Sequence, residues 1–234
     1  MSIKKQNITF VAGLHGNEQM PVRALEENNT PFVLGSSLAR KRNVRFTERD
    51  LNASFGVNDG SYEAKRAEEI LKEIDENDLV VDFHTTEKEP TPFVIIVDEQ
   101  MIGLAEQTGL THVVIMKHNI KRGHALINYR NGISVEAGTH ASRESYDTTL
   151  RVVKNIQEGK KHPIILYEVY EEIKKSGNYE NLKPHSEGFI PVLANEPAYE
   201  REGLFGLRAH LKNTASPRCE QFCPKHKARR GDSG

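Results

Sequence analysis

A mixed, mostly parallel α/β sheet with helices on both faces, followed by a small β-rich C-terminal appendage, is the fold class this sequence predicts. Three observations predict it. Short apolar runs recur at 8–14, 31–34, 79–83, 93–97, 112–116 and 133–136, with helical patterns between them, and such alternation marks parallel sheets. The runs show little polar alternation, as strands buried on both faces do. After about residue 160 the alternation stops. Pro163 to Tyr170, Gly188 to Ala194 and Leu204 to Leu211 read as strands with no amphipathic helix between them.

The helices are read from caps and period. Ser61 is placed to cap a helix whose apolar stripe is Ala64, Ala67, Ile70, Leu71 and Ile74. Ser142 starts another, with Tyr146, Leu150, Val153 and Ile156 on one side, and a weaker helix is expected around 99–108. The organisation that follows is a catalytic domain over 1–160, a small β-rich domain over 161–212, and a tail over 213–234. That tail is rich in Pro, Gly, Lys, Arg and Ser, with little to bury, and is expected to be disordered.

Composition narrows the class. The chain has 234 residues, 37% hydrophobic and 28% charged, with a net charge of −1, which is globular and gives no electrostatic reason to bind nucleic acid. No run approaches the roughly 18 apolar residues of a membrane span, and Met1 to Asn7 carries no apolar signal region, so a cytoplasmic protein without membrane partners is the expectation. The two cysteines, Cys219 and Cys223, stand near His226. They lack a fourth ligand for a closed structural metal site.

The chemistry concentrates where strands end. His15-Gly16-Asn17-Glu18 follows the first apolar run, and His84 closes Asp82-Phe83-His84 after the third. Two imidazoles and one carboxylate suit a catalytic zinc, because three protein ligands leave a fourth position open. Gly13 and Gly16 permit a sharp turn around His15. On its own the His-x-x-Glu spacing fits equally an ordinary strand-to-helix loop, with Glu18 favoured by the helix dipole. Asp82 is placed by strand alternation on the face of His84, where it would orient that ring. Glu136 ends the run Ile133-Ser134-Val135, where a carboxylate is costly unless paired, neutral or functional. Read singly, it is either a general base or a solvated edge residue. Arg45 and Asn52 lie in a polar stretch with no strand pattern. In isolation they are loop residues.

Taken together and in order, His-Gly-Asn-Glu at 15–18, Arg45-Phe46-x3-Asp50-Leu51-Asn52, Asp82-Phe83-His84-Thr85-Thr86 and Val135-Glu136-Ala137-Gly138 resemble the aspartoacylase and succinylglutamate desuccinylase family, a branch of the zinc carboxypeptidase clan. A further match is Pro191 to Tyr199, so the resemblance runs from about residue 8 to about 210. The resemblance implies a zinc carboxypeptidase-like fold and one Zn2+ per chain held by His15, Glu18 and His84. It implies Glu136 as general base toward a zinc-bound water, Arg45 as polariser of the scissile carbonyl, and Asn52 and Tyr199 as substrate contacts. The implied reaction is hydrolysis of an N-acyl amino acid or related N-acyl amine, a small-molecule substrate. The alternatives are a carboxypeptidase-type zinc peptidase or a non-catalytic metal- or ligand-binding relative.

The chain departs from the family pattern. Where relatives read Asp-Leu-Asn-Arg, this chain reads Asp50-Leu51-Asn52-Ala53, which removes a bidentate clamp for a substrate carboxylate. Ser36-Ser37 stands in place of an Asn-Pro pair. The arginine that often precedes the catalytic glutamate has only Arg122 and Arg130 as candidate counterparts. A neutral or singly charged N-acyl compound is therefore expected in preference to N-acetylaspartate or N-succinylglutamate. Of the remaining histidines, His112, His118, His124 and His140 are expected at the surface or behind the ligands.

Overall fold

The structure is a computed structural model that describes residues 7–117 and 121–212. The 213–234 tail, with Cys219, Cys223 and His226, lies outside the described residues, as does His118.

The strands are β1 (Ile8–Ala12), β2 (Phe32–Leu34), β3 (Leu79–Thr86), β4 (Phe93–Ile96), β5 (His112–Ile115), β6 (Gly132–Thr139), β7 (Ile165–Glu172), β8 (Ile190–Val192) and β9 (Leu207–Leu211). The helices are α1 (Gln19–Glu27), α2 (Ser37–Arg42), α3 (Tyr62–Glu73), α4 (Ile102–Gln107), α5 (Leu126–Tyr129), α6 (Arg143–Glu158) and α7 (Pro197–Glu200). All six apolar runs of the first 160 residues fall on strands. Ser61 and Ser142 cap α3 and α6, their hydroxyls accepting from the amides of Ala64 and Ser145. Each satisfies a helix-end donor that would otherwise lack a partner.

The strands form one sheet in the order β2-β1-β3-β6-β4-β5-β7-β9-β8. Pairing is parallel except for β4–β6, β7–β9 and β8–β9. The β-rich segment after residue 160 continues this sheet, since β7 pairs with β5 and carries β9 and β8 outward.

Side-chain alternation divides the core by face. On one face Phe10, Val81, Phe83, Ile133, Val135, Val94 and Ile115 pack with residues of α1, α4 and α6. On the other, Val11 and Val80 pack with Leu51, Phe55 and the α3 residues Ala67 and Ile70. Further along that second face, Phe93, Ile95 and Val114 meet Ala125, Ile127 and the strands of the C-terminal segment. The functional residues belong to this second face.

Candidate active site

Two strand ends and the loops beyond them build the site. After β1 the chain turns at Gly13, whose φ of +76° is a left-handed conformation that favours glycine. Gly16 follows, and a Cβ there would lie 2.1 Å from the Ala39 carbonyl carbon. Only glycine lets the His15–Glu18 loop press so closely on α2. The Gly16 amide also donates to the Arg45 carbonyl at 3.0 Å, tying this loop to the next.

The loop brings His15 and Glu18 to His84, which β3 delivers. The ligand atoms of these three buried residues lie within 4.8 Å of one another, and no other such group occurs among the described residues. His15 Nδ1 is 2.8 Å from Glu18 Oε1, and His84 Nδ1 is 3.1 Å from Glu18 Oε2. The far nitrogen of each ring faces a carboxylate. His15 Nε2 is 2.9 Å from Asp50 Oδ1, and His84 Nε2 is 2.6 Å from Asp82 Oδ2. Carboxylates commonly hold zinc-ligating histidines in this way, fixing tautomer and ring plane. Donor types, spacing and backing carboxylates all fit a zinc ion. Asp82 shares a face with His84, as strand alternation requires.

The electrostatics follow from burial and pairing. Burial opposes charge on Glu18, but His15 and His84 overcome it and hold its carboxyl far below the usual carboxylate range. Burial likewise opposes a charged His84, while Asp82 and Glu18 raise its pKa well above the ordinary histidine value. Desolvation opposes charge on the half-buried Asp50 too, but His15, Lys121 and Arg45 drive its pKa well down.

Glu136 lies on β6, directly beside His84 in register. Its Oε2 is sealed from solvent and has no hydrogen-bond partner. Burial pushes its pKa up to about 8, with His84 working against that rise and Glu18 and Glu196 adding to it. A half-buried acid with one sealed, unpartnered oxygen is costly to keep for stability alone, and a nearby dication would favour its charged form.

Arg45 lines the same cavity and donates from Nη2 to Asp50 Oδ2 at 3.2 Å. Asn52 borders the cavity too, but both ends of its amide face protein. Nδ2 lies 3.3 Å from His84 Nε2, and Oδ1 accepts from the Leu126 amide at 3.1 Å. Tyr199, on α7, also lines the cavity, with the Lys121 ammonium 5.2 Å from its ring centre.

Four further residues complete the site. Lys121 bonds Asp50 Oδ2 at 2.7 Å and lines the cavity, whereas Arg122 and Arg130 do not line it. The Arg130 guanidinium donates to the carbonyls of Tyr129 and Leu71 instead. Glu63, fully buried on α3, accepts from the Thr47, Glu48 and Arg49 amides and the Thr47 hydroxyl, which shapes the loop bearing Arg45. Glu196 accepts from the Glu87 amide at 2.9 Å and the Lys88 amide at 3.3 Å, anchoring α7 and its Tyr199 to the loop after β3. His140 borders the cavity between Thr85 and Asn17. Among the other histidines, His112 meets the Tyr167 hydroxyl and His124 the Phe55 carbonyl, both away from the ligand set.

Residues 4–158 match the model of the succinylglutamate desuccinylase/aspartoacylase catalytic domain. The chain belongs to that family. A probable aspartoacylase from Prochlorococcus marinus subsp. pastoris is 36% identical over 104 residues, which span 37% of this chain and only 35% of that relative. Two solved structures share the fold. Succinylglutamate desuccinylase from Chromobacterium violaceum superposes with a TM-score of 0.67 at 12% identity, covering 89% of this chain and 85% of that one. Murine aminoacylase 3 gives 0.68 at 16% identity, covering 91% and 97%. The mixed, mostly parallel sheet of this family member is the zinc carboxypeptidase-like architecture that its motifs imply.

Proposed function

We propose that this chain is a zinc-dependent amidohydrolase that removes the acyl group from an N-acyl amino acid or related N-acyl amine. The observation that carries the reading is the pairing of two features on one sheet face. A buried His-Glu-His ligand set is backed by carboxylates, and a half-buried glutamate with one sealed, unpartnered oxygen sits on the adjacent strand. His15, Glu18 and His84 would hold one zinc. When bound, that ion supplies Lewis-acid stabilisation and makes water acidic near neutral pH.

The chain's own residues do the rest. Glu136 takes a proton from the attacking water as oxygen bonds to the acyl carbon. As the C–N bond breaks, the same carboxyl gives that proton to the amine nitrogen, so water is divided between a carboxylic acid and an amine. Arg45 is a cation at the cavity wall and donates to the carbonyl oxygen as negative charge grows there. Asn52 and Tyr199 border the space the substrate fills. Asp50 and Asp82 hold the two histidine rings.

The test is Glu136→Gln in metal-loaded protein, assayed by amine release from N-acetyl amino acids. The reading predicts unchanged zinc content and turnover reduced by about 10²–10⁴. Undiminished turnover would remove Glu136 as the base.

A further inference from the structure

The cavity is open to solvent at its mouth, and its two ends differ in chemistry. Sheet order decides this. The metal ligands come from the β1 and β3 side, Glu136 from β6, and the next strands across are β4 and β5. Ser134, two residues before Glu136, pairs with Ile95, and Ile95 pairs with Val114. By alternation, Ile95, Val97 and Met116 share the face of Glu136. With Ala125, Ile127 and Leu193 they make an apolar wall to the cavity.

Charge points the same way. Among the described lining residues the cations are Arg45 and Lys121, against Glu18, Glu87, Glu136 and Glu196. Both cations bond the same carboxylate, Asp50, on the metal side. The wall offers no cation, and Ala53 supplies none. A carboxylate pressed against Ile95, Met116 and Ile127 would lose its hydration without a counter-charge.

Resting on the reading of the site as an amide hydrolase, we propose that the pocket selects N-acyl compounds whose side group is apolar and seats on the β4–β5 wall. Any single carboxylate sits on the Arg45–Lys121 side. Dianionic N-acyl amino acids are excluded by the unpaired second charge.

The experiment is a panel of N-acetyl-methionine, N-acetyl-leucine, N-acetylaspartate and N-acetylglutamate on the zinc-loaded full chain. It is paired with calorimetric binding of the same compounds to Glu136→Gln protein. The expected result is kcat/KM at least ~100-fold higher for the apolar pair, on the scale of a mismatched specificity pocket, with the same ranking in binding. Met116→Ala should lower the apolar-to-acidic ratio by about 10-fold. Equal or faster turnover of the acidic pair would overturn the proposal while leaving the hydrolase reading intact. No turnover, with apolar compounds still bound in preference, would support the wall and count against hydrolysis. Absence of preferential apolar binding would overturn the wall whatever the turnover.

Discussion

The two ends of the cavity are built by different rules. At the metal end every charged group has a partner. Glu18 faces both histidines, each ring faces an aspartate, and Asp50 gathers Arg45 and Lys121. At the wall, Ile95, Met116 and Ile127 rest on packing alone. Between them stands Glu136, whose sealed Oε2 has no hydrogen-bond partner. The networked end fixes geometry, because moving one member unpairs several buried charges. The apolar end can change its side chains at modest cost, because volume-conserving swaps in cores usually cost less than about 1.5 kcal/mol. Chemistry conserved by network and specificity varied by packing is what this division would allow.

Breaking the networked end should have the largest effect. Arg45→Met removes both the carbonyl donor and a partner of Asp50. It should lower kcat by about 10²–10³, the cost of losing one oxyanion donor, while elemental analysis finds zinc retained. A change confined to KM would mean that Arg45 binds substrate without polarising it.

Disturbing the support behind that end should cost stability first. Glu63 is a charged acceptor for three amides and a hydroxyl in the loop before Asp50. Glu63→Gln keeps the shape but turns an amide toward those donors. It should destabilise the fold by about 1–3 kcal/mol, read as a lower denaturation midpoint. An unchanged midpoint would show that the loop holds its shape without Glu63.

A third comparison isolates Glu136 from the metal. In zinc-stripped protein its pKa is raised from 4.5 to about 8. The fold therefore favours the protonated form. That contribution is complete below the unfolded value and is lost as pH rises from about 4.5 toward 8. Stripped parent protein should fall behind stripped Glu136→Gln in Tm over that window, and zinc should close the gap. A gap that does not vary with pH would remove the buried-acid explanation.

Legibility in the sequence followed the same division. The strands of the first 160 residues show as apolar runs because the sheet is covered on both faces. Ser61 and Ser142 show because a capping hydroxyl precedes a periodic stripe. In α6 the buried residues are Ser145, Tyr146, Thr148, Thr149, Val152, Val153 and Ile156, so the expected Tyr146, Val153 and Ile156 are joined by small polar residues and Leu150 lies at the border. Helix α2 has six residues, four of them polar, and is too short for periodicity to register. Three ligand-type residues and Glu136 were legible because each falls at the end of an apolar run or in the short loop just beyond it. Lys121 was not, because it arrives from a loop whose sequence carries no pattern. Glu63 was not, because a glutamate in the first turn of a helix ordinarily means only a favourable dipole. The wall was not, because its residues are spread over β4, β5, α5 and the turn after β8, and only the sheet order brings them to one face.

The central claim is that His15, Glu18 and His84 form an assembled metal site. Elemental analysis of freshly purified protein, scaled to chain concentration, tests it most directly, with His84→Ala as the comparison. About one zinc per chain in the parent, lost in the variant, is the predicted result. No metal in the parent and none taken up from added zinc, or equal metal in the two proteins, would contradict it.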